Sequence, residues 1–476
     1  MKRSLYCGLL ILSIMLLTSC AVFKPPARDL ADSPYVPEEF SAADTALTVT
    51  NRWWERFESP ELDRLVETAL ADNLDLAEAY ARLKQARARA VQAGANRWPD
   101  LDLEGGASHS ERRYKAASGG FVTTDTDSYS IGLASRFELD FWGKNRSSYE
   151  SGRLVSEASQ EDLDAAAVTL AAEVTLRWLD IVLQRQILDL LAMQLEANNK
   201  VLQLTELRLR KSQATALDVL QQRDAVARIR ALIPPEVARE QTLQHELAVL
   251  LGKPAKTDLE ITTRELPAPT PLPSTGLPVE LLTRRPDLRA SALRMQAADW
   301  NVSAARADRL PSIRLLASGG FNAEAFSDLL DSNVSQLAAD LVGPLLDGGS
   351  RKAEVERTRA VVEEQVAAYY GLVLQAIREV EDALVGEEQQ ALLMEALNHR
   401  LETVHSTYTE SLARYMKGMN DFLPVLAAQS AEQETQRVLV RTQRDGLAYR
   451  VQLHRALAGD WVEDWNYQGS QGENQP

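Results

Sequence analysis

The stretch KGMNDFLPVLAAQ, Lys417 to Gln429, joins two long helix-like runs, and it has a degenerate twin in KSQATALDVLQQR, Lys211 to Arg223. Lys211 matches Lys417, Leu217 matches Leu423, and Val219-Leu220 matches Val425-Leu426, without a gap and at a displacement of 206 residues. Both stretches have the composition of a turn that opens a helix. Thr215-Ala216-Leu217-Asp218 is a capping-box pattern: the Thr hydroxyl takes an orphan N–H and the Asp reaches back. Asp421 with Pro424 plays a similar part, since Pro is tolerated in a first helical turn. A chain that turns one corner twice is expected to be duplicated around that corner.

Further matches extend the duplication. Asn96-Arg97-Trp98-Pro99 returns as Asp308-Arg309-Leu310-Pro311, and Asp75-Leu76 as Asp287-Leu288, both displaced by 212 residues; Leu251-Gly252 matches Leu457-Ala458 at 206. Two halves, 55–252 and 277–461, therefore share one plan. A Pro-rich connector, 253–276, holds Pro254, Pro267, Pro269, Pro271 and Pro273 and is expected to be extended. A segment 20–54 precedes the halves and a tail, 462–476, follows them.

Each half reads as short helix, two strands, long helix, corner, returning helix. Pro60 to Asn96 is one helical pattern, ended by Pro99. Leu101, Leu103, Gly105 and Ala107 then alternate with Asp102, Glu104 and Ser108. Tyr129, Ile131, Leu133, Phe137 and Leu139 alternate with Ser128, Ser130, Arg136, Glu138 and Asp140. The second half offers Ile313, Leu315, Ala317 and Phe321, then Leu337, Ala339, Leu341 and Leu345. Period two over about ten residues suits a transmembrane strand, apolar outward and polar inward, and equally a soluble sheet with one wet face. Ser/Gly-rich loops, 109–127 and 322–334, are expected to join each pair. Four strands cannot close a membrane barrel, which takes about eight or more, and open edges are not tolerated in lipid. Other copies must complete the sheet, and strand arithmetic alone does not choose between two copies and three.

The N-terminus reads as a targeting segment, 1–19. Lys2 and Arg3 precede an apolar run from Leu5 to Leu17, and Leu17-Thr18-Ser19-Cys20 looks like the lipobox of a bacterial lipoprotein, with Cys20 as the acylated residue. Ala21 follows, which favours the outer membrane. Cys7 and Cys20 are the two cysteines, so no disulfide framework is available to the mature chain. Without Lys2 and Arg3, 50 basic residues face 68 acidic ones, a net charge of −18, which argues against nucleic acid as a partner and suits an aqueous lumen favouring cations. No later stretch offers the ~18 consecutive apolar residues of a spanning helix, so a membrane crossing must use strands.

The long runs carry heptad spacing. Ile181, Leu188, Leu195, Leu202 and Leu209 recur every seven residues, with Trp178, Arg185, Ala192, Asn199 and Glu206 on the alternate seam positions. The run from Gly152 to Arg210 is matched by Lys352 to Tyr415, through Ile377, Val380, Leu384, Leu397, Leu401, Val404 and Tyr408. At 1.5 Å per residue the corners should lie about 90–100 Å from the strands. Pro234-Pro235 is expected to interrupt the first returning helix.

Enzyme chemistry finds no footing. His109, His245, His399, His405 and His454 are scattered, and His399 and His405 face different sides of one helix. Glu395 and His399 are helix neighbours of the surface-pair kind. His245-Glu246 lacks the second His of a zinc helix, and no phosphate loop, nucleophile elbow or CxxC occurs. No catalytic residue, metal or cofactor is expected.

Several motifs carry a family resemblance. They are Trp53 to Phe57 (WWERF), Glu138 to Lys144 (ELDFWGK), Gly276 to Leu282 (GLPVELL) with Arg284 to Arg289 (RRPDLR), Ala376 with Arg378 to Leu384 (REVEDAL), and Arg455 to Leu457 with Gly459 to Trp461. Over about 34–461 the chain resembles the TolC-like outer-membrane efflux proteins, in the lipoprotein branch of OprM and NodT type. The resemblance implies a mixed α and β membrane protein. It would be a homotrimer whose twelve-stranded outer-membrane β-barrel, four strands per protomer, continues as a long periplasmic α-helical barrel with a mixed equatorial domain. It implies docking on a periplasmic adaptor and an inner-membrane pump of the resistance-nodulation-division class, passive conduction of drugs, other toxic small molecules or ions, and outer-membrane lipid as the surroundings. The corners become periplasmic tips. Leu423 matches the family's constricting Leu. The Asp and Arg that family members often place four and seven residues further on are Ala427 and Ser430 here, so an ionic gate falls to the first corner, with Leu217, Asp218, Arg223 and Asp224. Lys211, Lys417, Gly418 and Asn420 are the expected adaptor contacts. The rival reading is a periplasmic coiled-coil adaptor or scaffold lipoprotein, which shares the anchor and the hairpins and has no need of paired ten-residue strands.

Overall fold

The computed structural model describes residues 23–28, 35–41, 52–117, 119–269, 272–273, 278–457, 465 and 467. The targeting segment, Cys20 and nearly all of the tail lie outside them. The elements run α1 (Pro60–Asp72), α2 (Leu74–Ala95), β1 (Asp102–Lys115), β2 (Phe121–Leu139), α3 (Lys144–Arg210), α4 (Ala216–Leu250), α5 (Pro278–Arg284), α6 (Pro286–Ala307), β3 (Ser312–Ala323), β4 (Asn333–Val342), α7 (Ser350–Met416) and α8 (Leu423–Leu457). The long helices have 67 residues each and the returning helices 35 each. The chain divides into one unit of Met1–Asp29, Arg82–Gln160 and Ala290–Tyr369, and another of Leu30–Ala81, Glu161–Arg289 and Tyr370–Pro476.

The first unit holds the sheet. Its strands are antiparallel in the order β1-β2-β3-β4, which leaves β1 and β4 as edges with no further strand among the described residues. The register aligns the apolar residues across strands. Leu103 faces Leu133, Gly105 and Phe321 flank Ile131, Phe137 and Ala339 flank Leu315, and Leu139 and Leu341 flank Ile313. One face is therefore apolar over the span that the four strands share, and Leu103, Leu133, Leu337 and Leu341 on it are exposed. The other face is charged: Arg136 reaches Glu104 at 3.0 Å and Asp102 at 3.5 Å, and Arg314 reaches Glu138 at 3.6 Å.

The first strand pair is longer than its sequence suggests. The expected loop 109–127 is mostly strand, with His109 opposite Asp127 and Lys115 opposite Phe121. The turn is confined to 116–120, closed by the Ala116 N–H donating to the Gly120 carbonyl at 2.7 Å, with Gly119 at φ 94°. Ladder bonds use backbone groups, so a Ser/Thr/Asp-rich pair forms where both faces are wet, and its polarity hides it from a hydrophobic pattern. The other connection matches expectation: β3 ends at Ala323 and β4 begins at Asn333, with a 3-10 turn at Phe326–Asp328 between them.

Both long helices begin in this unit by one device. The Asp140 carboxylate accepts from the backbone N–H groups of Asn145 at 3.0 Å and Arg146 at 2.7 Å. Asp347 accepts from Gly349 at 3.0 Å and Arg351 at 3.2 Å. An anion there satisfies orphan donors and complements the helix dipole. The Trp142 indole donates to the Pro311 carbonyl at 2.7 Å, and Asp308 bridges Lys144 at 2.6 Å and Arg351 at 2.9 Å. The ELDFWGK and Arg309-Leu310-Pro311 neighbourhoods are thus one junction.

In the second unit the expected single helix 60–96 starts as α1 and stops at Asn73, which is extended (ψ 131°) and buried. Its side chain accepts from the Leu76 N–H at 3.0 Å, starting α2, and donates to the Leu250 carbonyl at 2.8 Å. An Asn favours such cap geometry over helix interior. The second half breaks at Arg285, between α5 and α6. That guanidinium is buried and gathers three motifs of the resemblance. It grips Asp287 at 2.7 Å, Glu379 at 3.0 Å and the Ala456 carbonyl at 3.1 Å. A buried Arg so fully paired fixes the mutual placement of RRPDLR, REVEDAL and the end of α8. The WWERF turn also docks there: Trp53 stacks on His454 at 5.2 Å. Burial, with Arg56 and Arg450 nearby, depresses the His454 pKa to about 3, so the imidazole is neutral at physiological pH.

Two expectations for the helices are corrected here. Pro234 and Pro235 do not interrupt α4, which runs unbroken from Ala216 to Leu250. Both prolines, and Arg230 and Ala231 whose carbonyls lose their partners, lie on the exposed side, so those carbonyls stay solvated. The heptad row of α3 is a buried seam only at its start, with Ile181 and the neighbouring Trp178 buried; further on Leu188, Leu195 and Leu202 are half-buried and Leu209 is exposed. The buried row contains Gln184, Ile187, Leu191, Gln194, Asn198, Val201, Thr205 and Arg208. Its amides bond across helices. Gln194 donates to the Gln433 carbonyl at 3.1 Å and accepts from Arg437 at 2.6 Å, and Gln222 donates to the Asn198 carbonyl at 2.9 Å.

Candidate functional site

The two corners end their helices with the same backbone motif. After α3 the Gln213 N–H donates to the Arg208 carbonyl at 2.8 Å and the Ser212 N–H to Leu209 at 2.9 Å, with Ser212 left-handed at φ 60°. After α7 the Met419 N–H donates to the Arg414 carbonyl at 2.9 Å and the Gly418 N–H to Tyr415 at 2.9 Å, with Gly418 at φ 72°. This is the Schellman closure. It places Lys211 and Lys417 at equivalent cap positions, both exposed beside exposed Gly418 and half-buried Asn420.

The next turn differs between corners. At the first, the Thr215 hydroxyl accepts from the Asp218 N–H at 3.2 Å while Asp218 accepts from the Thr215 N–H at 2.9 Å, so the expected capping box is present. At the second, Phe422 takes the cap place: its carbonyl accepts from Val425 at 3.0 Å and Leu426 at 3.1 Å, with Pro424 second in α8. No capping bond from Asp421 is found among the described residues.

The corners are also tied to each other. The Arg208 guanidinium, buried, donates to the carbonyls of Met416 at 3.1 Å, Tyr415 at 3.2 Å and Gln213 at 3.3 Å, and lies 4.6 Å over the Tyr415 ring. Beneath it Val201, Tyr415, Phe422 and Val425 form a small apolar core. Burial raises the Tyr415 pKa above its ordinary value; Asp218 adds to this and Arg208 opposes it. Arg208, Tyr415 and Phe422 are residues that spacing did not single out. An Arg one turn before a corner was the available signal, and it reads equally well as a solvated charge.

Leu217 and Leu423 stand outside this core, 62 % and 59 % exposed, each in the first turn of a returning helix. Ala427 and Ser430 follow Leu423 on the same exposed row of α8. The charges expected to form a substitute gate do not pair with one another within the chain. Arg223 bonds Glu206 at 2.8 Å, Asp224 bonds Arg228 at 2.5 Å, and Asp218 is engaged in the capping box. The first two pairs are solvent-exposed, where ion pairs contribute about 0–1 kcal/mol. No group of His, Cys, Asp and Glu side chains able to hold a metal occurs among the described residues, and no helix among them is long and apolar enough to cross a membrane.

An amphipathic antiparallel sheet with open edges, joined to 67-residue helices, fits a membrane protein that spans by strands. Comparison with known proteins agrees. The family described as outer membrane efflux protein matches residues 65–253 and 277–459, and the chain belongs to it. The pyoverdine export outer membrane protein OpmQ of Pseudomonas putida is 32% identical over 96% of this chain and 97% of its own length. Its namesake from Pseudomonas aeruginosa is 31% identical over the same shares. The solved outer-membrane channel OprN superposes with a TM-score of 0.87 at 27% identity, covering 92% of this chain and 100% of its own. The protein has the TolC-like fold, resides in the outer membrane, extends into the periplasm and acts in efflux. The coiled-coil scaffold reading leaves the four-stranded sheet without a purpose.

Proposed function

We propose that three copies of this chain assemble into the exit duct of a tripartite efflux system, with Cys20 lipid-anchored and the repeats 55–252 and 277–461 each contributing a strand pair and a helical hairpin. The observation that carries this reading is the sheet: four strands, one apolar face with Leu103, Leu133, Phe321, Leu337 and Leu341 exposed on it, and two edges unpaired among the described residues. Such a sheet is costly in water and cannot stand open in lipid; three copies give the twelve strands that close a lumen. The corners form the periplasmic end. Lys211, Lys417, Gly418 and Asn420 meet a periplasmic adaptor, behind which an inner-membrane pump of the resistance-nodulation-division class supplies the energy. The duct itself does no chemistry and has no cofactor. Leu423 lines the narrowest part with Leu217 beside it, and Asp218, Arg223 and Asp224 place charge around it. Cargo is a drug, another toxic small molecule or an ion; pyoverdine, the cargo in the names of two relatives, is the first to test.

Leu423→Ser tests the reading directly. A more polar, smaller ring should raise single-channel conductance several-fold in a planar bilayer and sensitise cells to large antibiotics. Unchanged conductance removes Leu423 from the constriction.

A further inference from the structure

At the lower end of the sheet, four large apolar side chains stand free of the fold. Trp98 and Leu101, just before β1, are 74 % and 70 % exposed; Leu345 and Leu346, just after β4, are 96 % and 99 % exposed. They are not strewn at random. One pair flanks each unpaired edge strand, at the end where the chain leaves the sheet for its helices. The edges are complementary in direction: in an antiparallel sheet of four, β1 and β4 run oppositely, so β4 of one copy continues antiparallel onto β1 of the next. The strand ends fix the level. β4 stops at Val342 and β1 starts at Asp102. If β4 were paired much lower, it would lie against the turn and helix before β1, where Trp98 donates to Ala95 within a turn rather than to a ladder. Pairing flush at these strand ends, the lowest level the edges allow, sets Val342 near Asp102 of the neighbour, and residues 343–346 beside 98–101.

We infer that Leu345 and Leu346 of one copy form an apolar clasp over Trp98 and Leu101 of the next, locking each subunit junction just below the barrel. The inference rests on the reading of a closed ring of copies. The clasp removes these four side chains from water. It also covers the first unpaired backbone groups below the inter-copy ladder, where a sheet edge is most vulnerable. The neighbourhood supplies rigidity: Trp142 is bonded to Pro311, and Asp308 bridges Lys144 and Arg351, so the segments bearing both pairs leave a fixed frame.

Paired cysteines in the full-length protein in outer membranes test this. Leu345→Cys with Leu101→Cys, and Leu346→Cys with Trp98→Cys, are treated with a short bifunctional maleimide, the single variants serving as controls. Glu104→Cys with Asp340→Cys reports on the β4-to-β1 edge itself. Dimer and trimer ladders from the clasp pairs and from the edge pair support the clasp. Ladders from the edge pair alone overturn it while the ring stands, and assign the four side chains to lipid. No ladder from any pair overturns the ring, and the clasp with it. As a second measurement, Leu345→Ser with Leu346→Ser should lower the temperature at which the oligomer band dissociates on a gel, and Leu345→Ile with Leu346→Met should restore it; an unshifted dissociation temperature overturns the clasp.

Discussion

The first corner, Lys211 to Leu217, and the second, Lys417 to Leu423, share a backbone and almost nothing else. Both close by the same pair of reverse bonds. The first then relies on polar groups: a Thr–Asp box starts α4, and Ser212 takes the left-handed place. The second relies on burial: Phe422 and Tyr415 sit in an apolar core, Pro424 sets the first turn, and Gly418 takes the left-handed place. Arg208 from the first corner holds the last carbonyls before the second. The two corners thus share the geometry that sets where Leu217 and Leu423 stand, and divide the stabilising work unequally. The second corner is the anchored one, and the first depends on caps.

This contrast can be broken by substitution, reading amide hydrogen exchange at each corner as local stability. Phe422→Ala should have the largest effect. Truncating a fully buried aromatic costs about 3–5 kcal/mol, and fast exchange should be confined to the second corner. Equal loosening of both corners would show that they are one unit. Arg208→Ala comes next, at about 1.5–3 kcal/mol, because it removes charge-assisted hydrogen bonds to carbonyls on both sides. It should loosen both corners, and an effect on the first alone would sever the proposed tie. Gly418→Ala should cost about 1 kcal/mol, since a Cβ is unfavourable at positive φ. Ser212→Gly should instead stabilise the first corner by about 0.5 kcal/mol, the relief being partly offset by a freer unfolded chain. Matching signs at the two positions would refute their equivalence. Thr215→Ala should cost about 1 kcal/mol at the first corner and leave the second unmoved.

Much of the site was legible because corners obey local rules. Thr215 and Asp218 are three apart, as a capping box requires, and the box is there. What was missed lies where local rules underdetermine the outcome. The Leu row of α3 announces a heptad, but the row one residue earlier is buried, because Gln194, Asn198 and Gln222 find amide and carbonyl partners across the helices. Hydrophobicity cannot rank two adjacent rows when the buried one is polar. Pro234 and Pro235 break a helix in isolation, and the fold keeps the helix by turning them outward. Residues 109–115 and 121–127 read as loop from composition, and pair because β1 and β2 are already in register below them.

By itself the sequence determined the two corners, the existence of four amphipathic strands, and the family, through motifs such as RRPDLR. These are short-range facts, set by spacing within one or two turns or one strand. Only the tertiary structure decided that Arg285 gathers three of those motifs into one buried ion cluster, and that Arg208 ties corner to corner. It also decided that the sheet ends in two open edges flanked by exposed Trp98 and Leu346. Each joins residues distant in sequence, where the energy of a contact depends on which groups share a buried space, and that is decided by the folded chain as a whole.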